Sequence, residues 1–195
     1  MTRRFYLRIA LAAATGFSTG FAVIALLQPQ PRLIWNASAS APIGLYAIGS
    51  GGKPAVGDLV AVIPPPAVAR FLAQRGYLPE GLPLIKRVAA APGQTICRFD
   101  IYLSVDGRVV AKARKRDRAG RQLPVWYGCH RLGARELLLV NAAPDSLDSR
   151  YFGPIAADGL IGIARPLLIR TARGAPLRWR PALPPCHPPQ EKPSC

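Results

Sequence analysis

The stretch IYLSVDGRVVA, residues 101–111, sets two β-prone runs on either side of Asp106-Gly107. A two-residue hairpin turn needs positive φ at its centre, and Asp-Gly supplies it at little steric cost. The stretch therefore predicts antiparallel strands over Ile101–Val105 and Arg108–Ala111. Working outward, similar short runs recur at Gly44–Ile48, Asp58–Ile63, Leu84–Ala90, Leu137–Asn141 and Leu160–Ile169, punctuated by Gly, Pro and polar residues. Short β-rich runs between such punctuation predict a mainly β, antiparallel domain. Ala67–Arg75 alone has helical spacing within this region; Pro64, Pro65 and Pro66 start it and Gly76 stops it.

The two ends of the chain read differently. Arg3, Arg4 and Arg8 precede an uncharged run from Ile9 to Leu27 rich in Ala, Leu, Ile, Val and Phe. About twenty such residues cross a bilayer, and arginines just before them keep the N-terminus cytoplasmic. A cleavable signal peptide is the competing reading, with Ala37-Ser38-Ala39 as small residues for a peptidase. The apolar run exceeds the usual signal-peptide length, and Pro29, Pro31 and Trp35 stand between it and Ala37, so the spacing favours an anchor. The expected organisation is a basic cytoplasmic segment over 1–8, a transmembrane anchor over 9–27 and an exported domain over 28–179. The Pro-rich tail over 180–195, without apolar periodicity, is expected to be extended or disordered.

Half of the 195 residues are hydrophobic and 18% are charged, so a packed core is available and a disordered polyelectrolyte is excluded. Lys and Arg outnumber Asp and Glu by 26 to 10, for a net charge of +16, which suits an anionic surface. Lys112, Arg114, Lys115, Arg116, Arg118 and Arg121 concentrate that charge in a short polar stretch, read as a solvated loop that can also meet anionic lipid. The sequence has no helix-turn-helix, zinc-finger or aromatic-basic RNA motif, and an exported domain does not meet nucleic acid, so no nucleic-acid partner is expected. Only His130 and His187 are present, which leaves little for a His-centred triad. Cys97, Cys129, Cys186 and Cys195 lack paired two-residue spacing, and the Cys129-His130 and Cys186-His187 neighbours chelate one ion poorly. No metal and no cofactor are expected, whereas an exported domain can oxidise its cysteines.

Three islands carry chemistry: NASASAPIGLY over 36–46, LIKRV over 84–88 and DSLDSRYFG over 145–153. Ser40 lies among small residues closed by Pro42 and Gly44, so bulk does not block approach to its hydroxyl. A serine hydroxyl needs a base, and with no suitable histidine the candidate is a lysine amine. In a strand over Leu84–Ala90, Lys86 shares one face with Leu84 and Val88 and points into apolar company. Desolvation, with Arg87 as a neighbouring positive charge, then lowers its pKa toward a neutral amine. Taken singly, Ser40 reads as a linker serine and Lys86 as a strand lysine reaching water.

Read together, the islands resemble the type I signal peptidase superfamily of serine-lysine proteases, in particular its TraF-type conjugative-transfer branch, over roughly residues 1 to 170. The branch motif Asn-x-Ser/Thr-x-Ser-x-Pro-x-Gly-Leu-Tyr matches Asn36 to Tyr46 throughout. Ordinary signal peptidases place the serine three residues before the proline and usually follow it with methionine. Here Ser40 is two before Pro42 and precedes Ala41, which favours the conjugative branch. The resemblance implies Ser40 as nucleophile and, through the Lys-Arg-Val motif followed by Pro92-Gly93, Lys86 as general base. It implies Ser38 as an oxyanion donor beside the Ser40 N–H, Ser146 as the residue orienting the lysine, and Asp148 and Arg150 as a supporting pair. For that pair the bland alternative is a surface turn and ion pair. Asp58, in a family box that begins a core strand, is read as structural. Cys97 and the Trp126–Cys129 run are also features of this branch, which favours a Cys97–Cys129 disulfide over zinc.

The resemblance implies a signal-peptidase-like antiparallel β domain behind one N-terminal transmembrane helix. It further implies a membrane-anchored serine endopeptidase at the outer, periplasmic face of the bacterial inner membrane. Its expected partners are a pilin precursor or other exported protein, membrane lipid and mating-pair-formation proteins. The expected reaction removes the precursor's signal or leader region, with cyclisation where the product's own amine outcompetes water. The competing readings are a housekeeping type I signal peptidase and a non-catalytic anchored component of a mating-pair or secretion apparatus.

Overall fold

The computed structural model describes residues 3–27, 31–172 and 174–181. The chain divides after Pro31 into a helical unit and a β unit. Helix α1, Arg3–Leu27, is one element of 25 residues, spanning roughly 37 Å at about 1.5 Å per residue against a hydrocarbon core of about 30 Å. It is apolar enough to cross a membrane and none of it is buried within the protein, which is compatible with a single-pass anchor. It begins at Arg3, not Ile9, so the three arginines lie on its first turns. Most of the Pro-rich tail, from residue 182, lies outside the described residues.

The β unit runs β1 Leu33–Asn36, β2 Ile43–Gly49, β3 Leu59–Val62, α2 Pro66–Gln74, β4 Leu84–Ala90, β5 Thr95–Phe99, β6 Tyr102–Val105 and β7 Arg108–Lys112. It continues through β8 Gly128–Arg131, β9 Glu136–Leu139, α3 Ser149–Phe152, β10 Ile155–Ala156, β11 Leu160–Arg170 and β12 Arg178–Trp179. The larger sheet has the order β1-β2-β11-β3-β4-β9-β10, with β12 also on β11. The smaller has the order β7-β6-β5-β8. Every pairing in both is antiparallel.

The Asp106-Gly107 turn joins β6 to β7, both residues with positive φ. The β4 boundaries are those read from the sequence. Pro66 occupies the first turn of α2 and Gly76, with φ of 71°, follows its end. Strands β1, β5, β8, β10 and β12 have no counterpart among the sequence readings. They are short, and β5 and β8, TICRF and GCHR, carry polar residues in place of a β-branched run. Their pairing is dictated by neighbours, as β5 is sandwiched between β6 and β8.

Burial explains why β3 and β4 sit centrally. All four residues of LVAV in β3 are buried, because both faces of the sheet are covered there. Leu59, Ala61 and Ile85 pack on one side with Tyr46, Ile48, Ala164 and Ile169. Val60, Val62 and Val88 pack on the other with Leu137, Leu139 and Ile155. In the smaller sheet Cys97 and Cys129 are direct cross-strand partners joined by a disulfide.

Gly44 explains one letter of the first motif. Its φ is 144°, and a Cβ there would lie 2.1 Å from the Leu168 carbonyl oxygen. This is where β11 shifts register against β2 between Pro166 and Leu168. Only glycine lets the two backbones meet. Gly44→Ala is expected to lose at least about 2 kcal/mol of stability in a denaturant titration of the membrane-extracted protein. An unchanged midpoint would contradict this close approach. Removing the disulfide by Cys97→Ala with Cys129→Ala opens a loop whose ends are 32 residues apart, with an expected loss of about 4 kcal/mol on the chain-entropy account, read as a lower thermal midpoint.

Candidate active site

Ser40 lies in the turn between β1 and β2, and Asn36, the last residue of β1, shapes that turn. Its buried side-chain oxygen accepts the Ser38 N–H at 3.1 Å. Its amide nitrogen donates to the carbonyls of Ser38 at 2.9 Å, Ala41 at 3.1 Å and Pro42 at 3.1 Å. Tyr46, fully buried on β2, donates its hydroxyl to the Pro42 carbonyl at 2.7 Å. Burial pushes the Tyr46 pKa up, so the hydroxyl stays a donor. The first and last residues of the motif thus hold the serine-bearing turn from both ends.

Within the turn the Ser38 and Ser40 hydroxyls lie 2.9 Å apart, and the Ser40 N–H donates to Ser38 Oγ at 3.2 Å. The two groups assigned to an oxyanion by resemblance are therefore bonded to each other here. A ligand oxygen has to replace that contact to receive both.

Lys86 lies opposite Val60 on β4, with only 2% of its surface exposed. Val88, two residues on along β4, and Val60, the cross-strand partner of Lys86, belong to one apolar cluster. Lys86 Nζ donates to Ser146 Oγ at 2.9 Å and to Ser40 Oγ at 3.4 Å. Burial lowers its pKa to about 8; Asp148 opposes the shift and Arg150 adds to it. Arg87 does not play the part expected from the sequence. It alternates to the other face and donates to the Gly57 carbonyl at 2.6 Å, so the cation that matters is Arg150.

The supporting residues are buried, which corrects the surface-turn alternative. Asp148 and Arg150 have side-chain exposures of 0% and 2%. The guanidinium donates from Nε to Oδ1 at 2.8 Å and from Nη2 to Oδ2 at 3.1 Å, a bidentate pair. Asp148 also caps α3 by accepting the Arg150 N–H. Ser146, two residues earlier, is buried, with its N–H on the Ala143 carbonyl at 3.0 Å.

Sequence reading missed Asn141 as a site residue. Its side chain accepts the Arg87 N–H at 2.9 Å and donates to the Ile85 carbonyl at 3.0 Å, the peptide groups on either side of Lys86. Its own N–H donates to Asp148 Oδ2 at 3.1 Å, and its carbonyl accepts from Arg150 Nη2. One buried amide thus ties the lysine strand to the Asp148–Arg150 pair. The available signal is a polar residue directly after the apolar run LLLV, where a strand end would otherwise reach solvent. Arg98 was also missed. It is 2% exposed, donates to the Arg150 carbonyl and stands over the Tyr151 ring at 5.9 Å, bracing α3 from the disulfide-bearing strand. Asp58 accepts the Ala55 N–H at 2.8 Å in the turn before β3.

A hydroxyl within hydrogen-bond reach of an amine whose pKa lies near neutrality is a nucleophile–base arrangement. No histidine or acid touches Ser40 among the described contacts.

The family profile described as signal peptidase, peptidase S26, matches residues 3–168. The conjugal transfer protein TraF of Agrobacterium tumefaciens is 40% identical over 143 residues, covering 68% of this chain and 80% of that protein. A plasmid transfer protein TraF of Escherichia coli is 30% identical over 170 residues, covering 81% of this chain and 88% of that protein. Among solved structures, a signal peptidase I of Enterococcus faecalis is 20% identical with a TM-score of 0.37, covering 58% of this chain and 98% of that one. The profile match across both the helix and the β unit, together with the two TraF relatives, establishes that the chain belongs to the peptidase S26 signal peptidases, in their TraF-type branch.

Proposed function

We propose that this chain is a membrane-anchored serine endopeptidase of conjugative transfer that uses Ser40 as nucleophile and Lys86 as general base. Family membership implies a serine protease acting on an exported protein. The observation that carries the finer reading is Lys86 Nζ between Ser40 Oγ and Ser146 Oγ, desolvated to a pKa of about 8. In the proposed course Lys86 takes the Ser40 proton as the oxygen attacks the scissile carbonyl. Ser38 Oγ–H and the Ser40 N–H turn from each other to the developing oxyanion. Lys86 then returns its proton to the leaving amine, and water, or the product's own amine, resolves the acyl-enzyme. Ser146 orients the lysine amine, and Asp148 with Arg150 fixes the turn that carries Ser146.

The proposed substrate is a pilin precursor; the names of the TraF relatives, conjugal and plasmid transfer proteins, support the conjugative setting alone. The proposed placement is single-pass in the inner membrane with the β unit periplasmic, which the arginines at the start of α1 favour. One face of the larger sheet supports a lipid contact. Trp35 pairs with Leu45, Leu45 with Leu168 and Leu168 with Trp179, a row sharing one side of the sheet. Trp35 is 55% and Trp179 62% exposed, where a solvated sheet would carry polar residues. Tryptophan at a membrane interface is favoured by its apolar body and polar edge.

The deciding experiment is the intact mass of a co-expressed candidate pilin precursor with wild-type chain, Ser40→Ala and Lys86→Ala at matched membrane levels. Cleavage is expected only with wild type, and a product lighter by one water than the linear fragment marks cyclisation. Equal cleavage in all three would exclude the dyad, and cleavage of many unrelated exported proteins would favour a housekeeping peptidase. The base must be neutral to act, so the cleavage rate is expected to rise with pH up to about 8 and level off above it. A flat profile from pH 6 to 9 (about two units below to one above) counts against Lys86 as base. Asn141→Leu leaves the Ile85 carbonyl and Arg87 N–H without their partner. The expected cost is about 2 to 4 kcal/mol of stability, read as a lower denaturant midpoint.

A further inference from the structure

Outside the serine-lysine cluster, the described residues form a cavity of ≈ 280 Å³ between the 113–123 segment and the turn at 145–151. Its floor is apolar, made by Leu123, Leu147 and the ring of Tyr151. Its rim carries four arginines, Arg114, Arg116, Arg118 and Arg121. Two carboxylates also line it, and both are engaged. Asp117 accepts the Tyr77 hydroxyl, the Ala119 and Arg121 N–H groups and Arg121 Nε, and the Tyr77 contact first among these holds its carboxyl well below the usual range. Asp145 is paired with Arg118. Arg116 reaches the Gly120 carbonyl at 2.6 Å, a neutral partner. Arg114 is exposed, and its backbone N–H is held by the Tyr151 hydroxyl at 2.9 Å, which fixes its place on the rim. Arg114 and Arg116 therefore contribute positive charge that no carboxylate in the cavity offsets.

The cavity and the serine-lysine cluster share one turn. Asp145 and Leu147 flank Ser146, whose hydroxyl receives the Lys86 amine, and the same amine reaches Ser40. An extended peptide advances about 3.3 Å per residue, so a substrate that runs from Ser40 past this turn would present its side chains in succession to the rim.

We infer that this arginine-rimmed cavity is a specificity subsite that takes an acidic side chain of the peptide substrate. The aliphatic stem lies on Leu123, Leu147 and Tyr151, and the carboxylate meets Arg114 and Arg116. Guanidinium forks match a carboxylate bidentately, and the apolar floor lowers the local dielectric that would otherwise weaken the pair. The inference rests on the peptidase reading above, so its test has an arm that does not need cleavage.

In the first arm, acidic residues within about four positions of the cleavage site in the processed precursor are changed singly to the matching amide. One such change is expected to lower kcat/KM at least about tenfold with the wild-type chain. Arg114→Ala with Arg116→Ala is expected to lower the rate on the natural precursor and to abolish the difference between acid and amide. Arg114→Glu with Arg116→Glu is expected to prefer a lysine at the same substrate position. In the second arm, the full-length Ser40→Ala chain in detergent is titrated with fluorescent decapeptides carrying Glu or Gln at those positions. Tighter binding of the Glu peptide, lost with the two arginines, supports the subsite whether or not a precursor has been cleaved. Equal handling of acid and amide in both arms overturns it. So does a result in which the arginine variants lose only co-sedimentation with vesicles containing phosphatidylglycerol, since the rim would then be a lipid contact. Failure of wild type to cleave any precursor, with Glu-selective binding intact, would count against the peptidase reading and leave the subsite standing.

Discussion

The burial of one amine organises this protein. At neutral pH a lysine whose pKa has fallen from 10.5 to about 8 holds its proton at a cost of about 3 kcal/mol relative to the unfolded chain. The sign follows from proton binding: between about pH 8 and 10.5 the unfolded lysine is protonated and the folded one is not, so folding is favoured as pH rises through that window. Below it the full cost remains. A strand with both faces covered is required to impose such desolvation, and β4 lies between β3 and β9 for that reason. Apolar packing alone would leave the lysine's neighbouring peptide groups without partners where β9 ends at Leu139. Asn141 supplies them, and the buried Asp148–Arg150 pair in turn holds the Asn141 backbone.

The same logic spells out the first motif. The proposed nucleophile, Ser40, needs an open hydroxyl on a fixed backbone, and small residues alone would give openness without fixity. Asn36 and Tyr46 provide the fixity by converging on the Pro42 carbonyl from β1 and β2. Gly44 lets β2 lie close enough to β11 for Tyr46 to be fully buried. Asn36, Gly44 and Tyr46 are thus spaced by the requirements of the turn that presents Ser40.

What could be read from the sequence divides along physical lines. Local signals were legible: the Asp106-Gly107 hairpin, the proline start of α2, the β4 boundaries and the apolar span of α1. Elements whose existence depends on partners were not, since TICRF in β5 and GCHR in β8 become strands through cross-strand pairing. The site divides the same way. Ser40, Lys86 and Ser146 could be picked out by residue type and motif, and the structure brings their side chains together. Asn141 could not, because an asparagine after an apolar run reads as a strand end until its partners on β4 are known. Arg87 was misassigned because adjacency in a strand places two side chains on opposite faces, whereas Arg150, distant in sequence, is the cation near Lys86.

Net charge is the least transferable of the sequence signals, and its distribution explains why. A value of +16 suggests one basic surface facing one anionic partner. In the fold the arginines serve unlike environments. Arg3, Arg4 and Arg8 stand at one end of the apolar helix. Arg98 and Arg150 are interior, satisfied by carbonyls and one carboxylate. Arg114 and Arg116 rim a cavity whose acids are already engaged. An interior guanidinium draws its stabilisation from fixed local acceptors and contributes little to the outer field. Arg114 and Arg116 do the reverse, since among the described residues neither is paired with a carboxylate. The same residue type thus braces the site in one place and stands exposed at a cavity rim in another, a distinction that composition cannot express and burial with hydrogen bonding can.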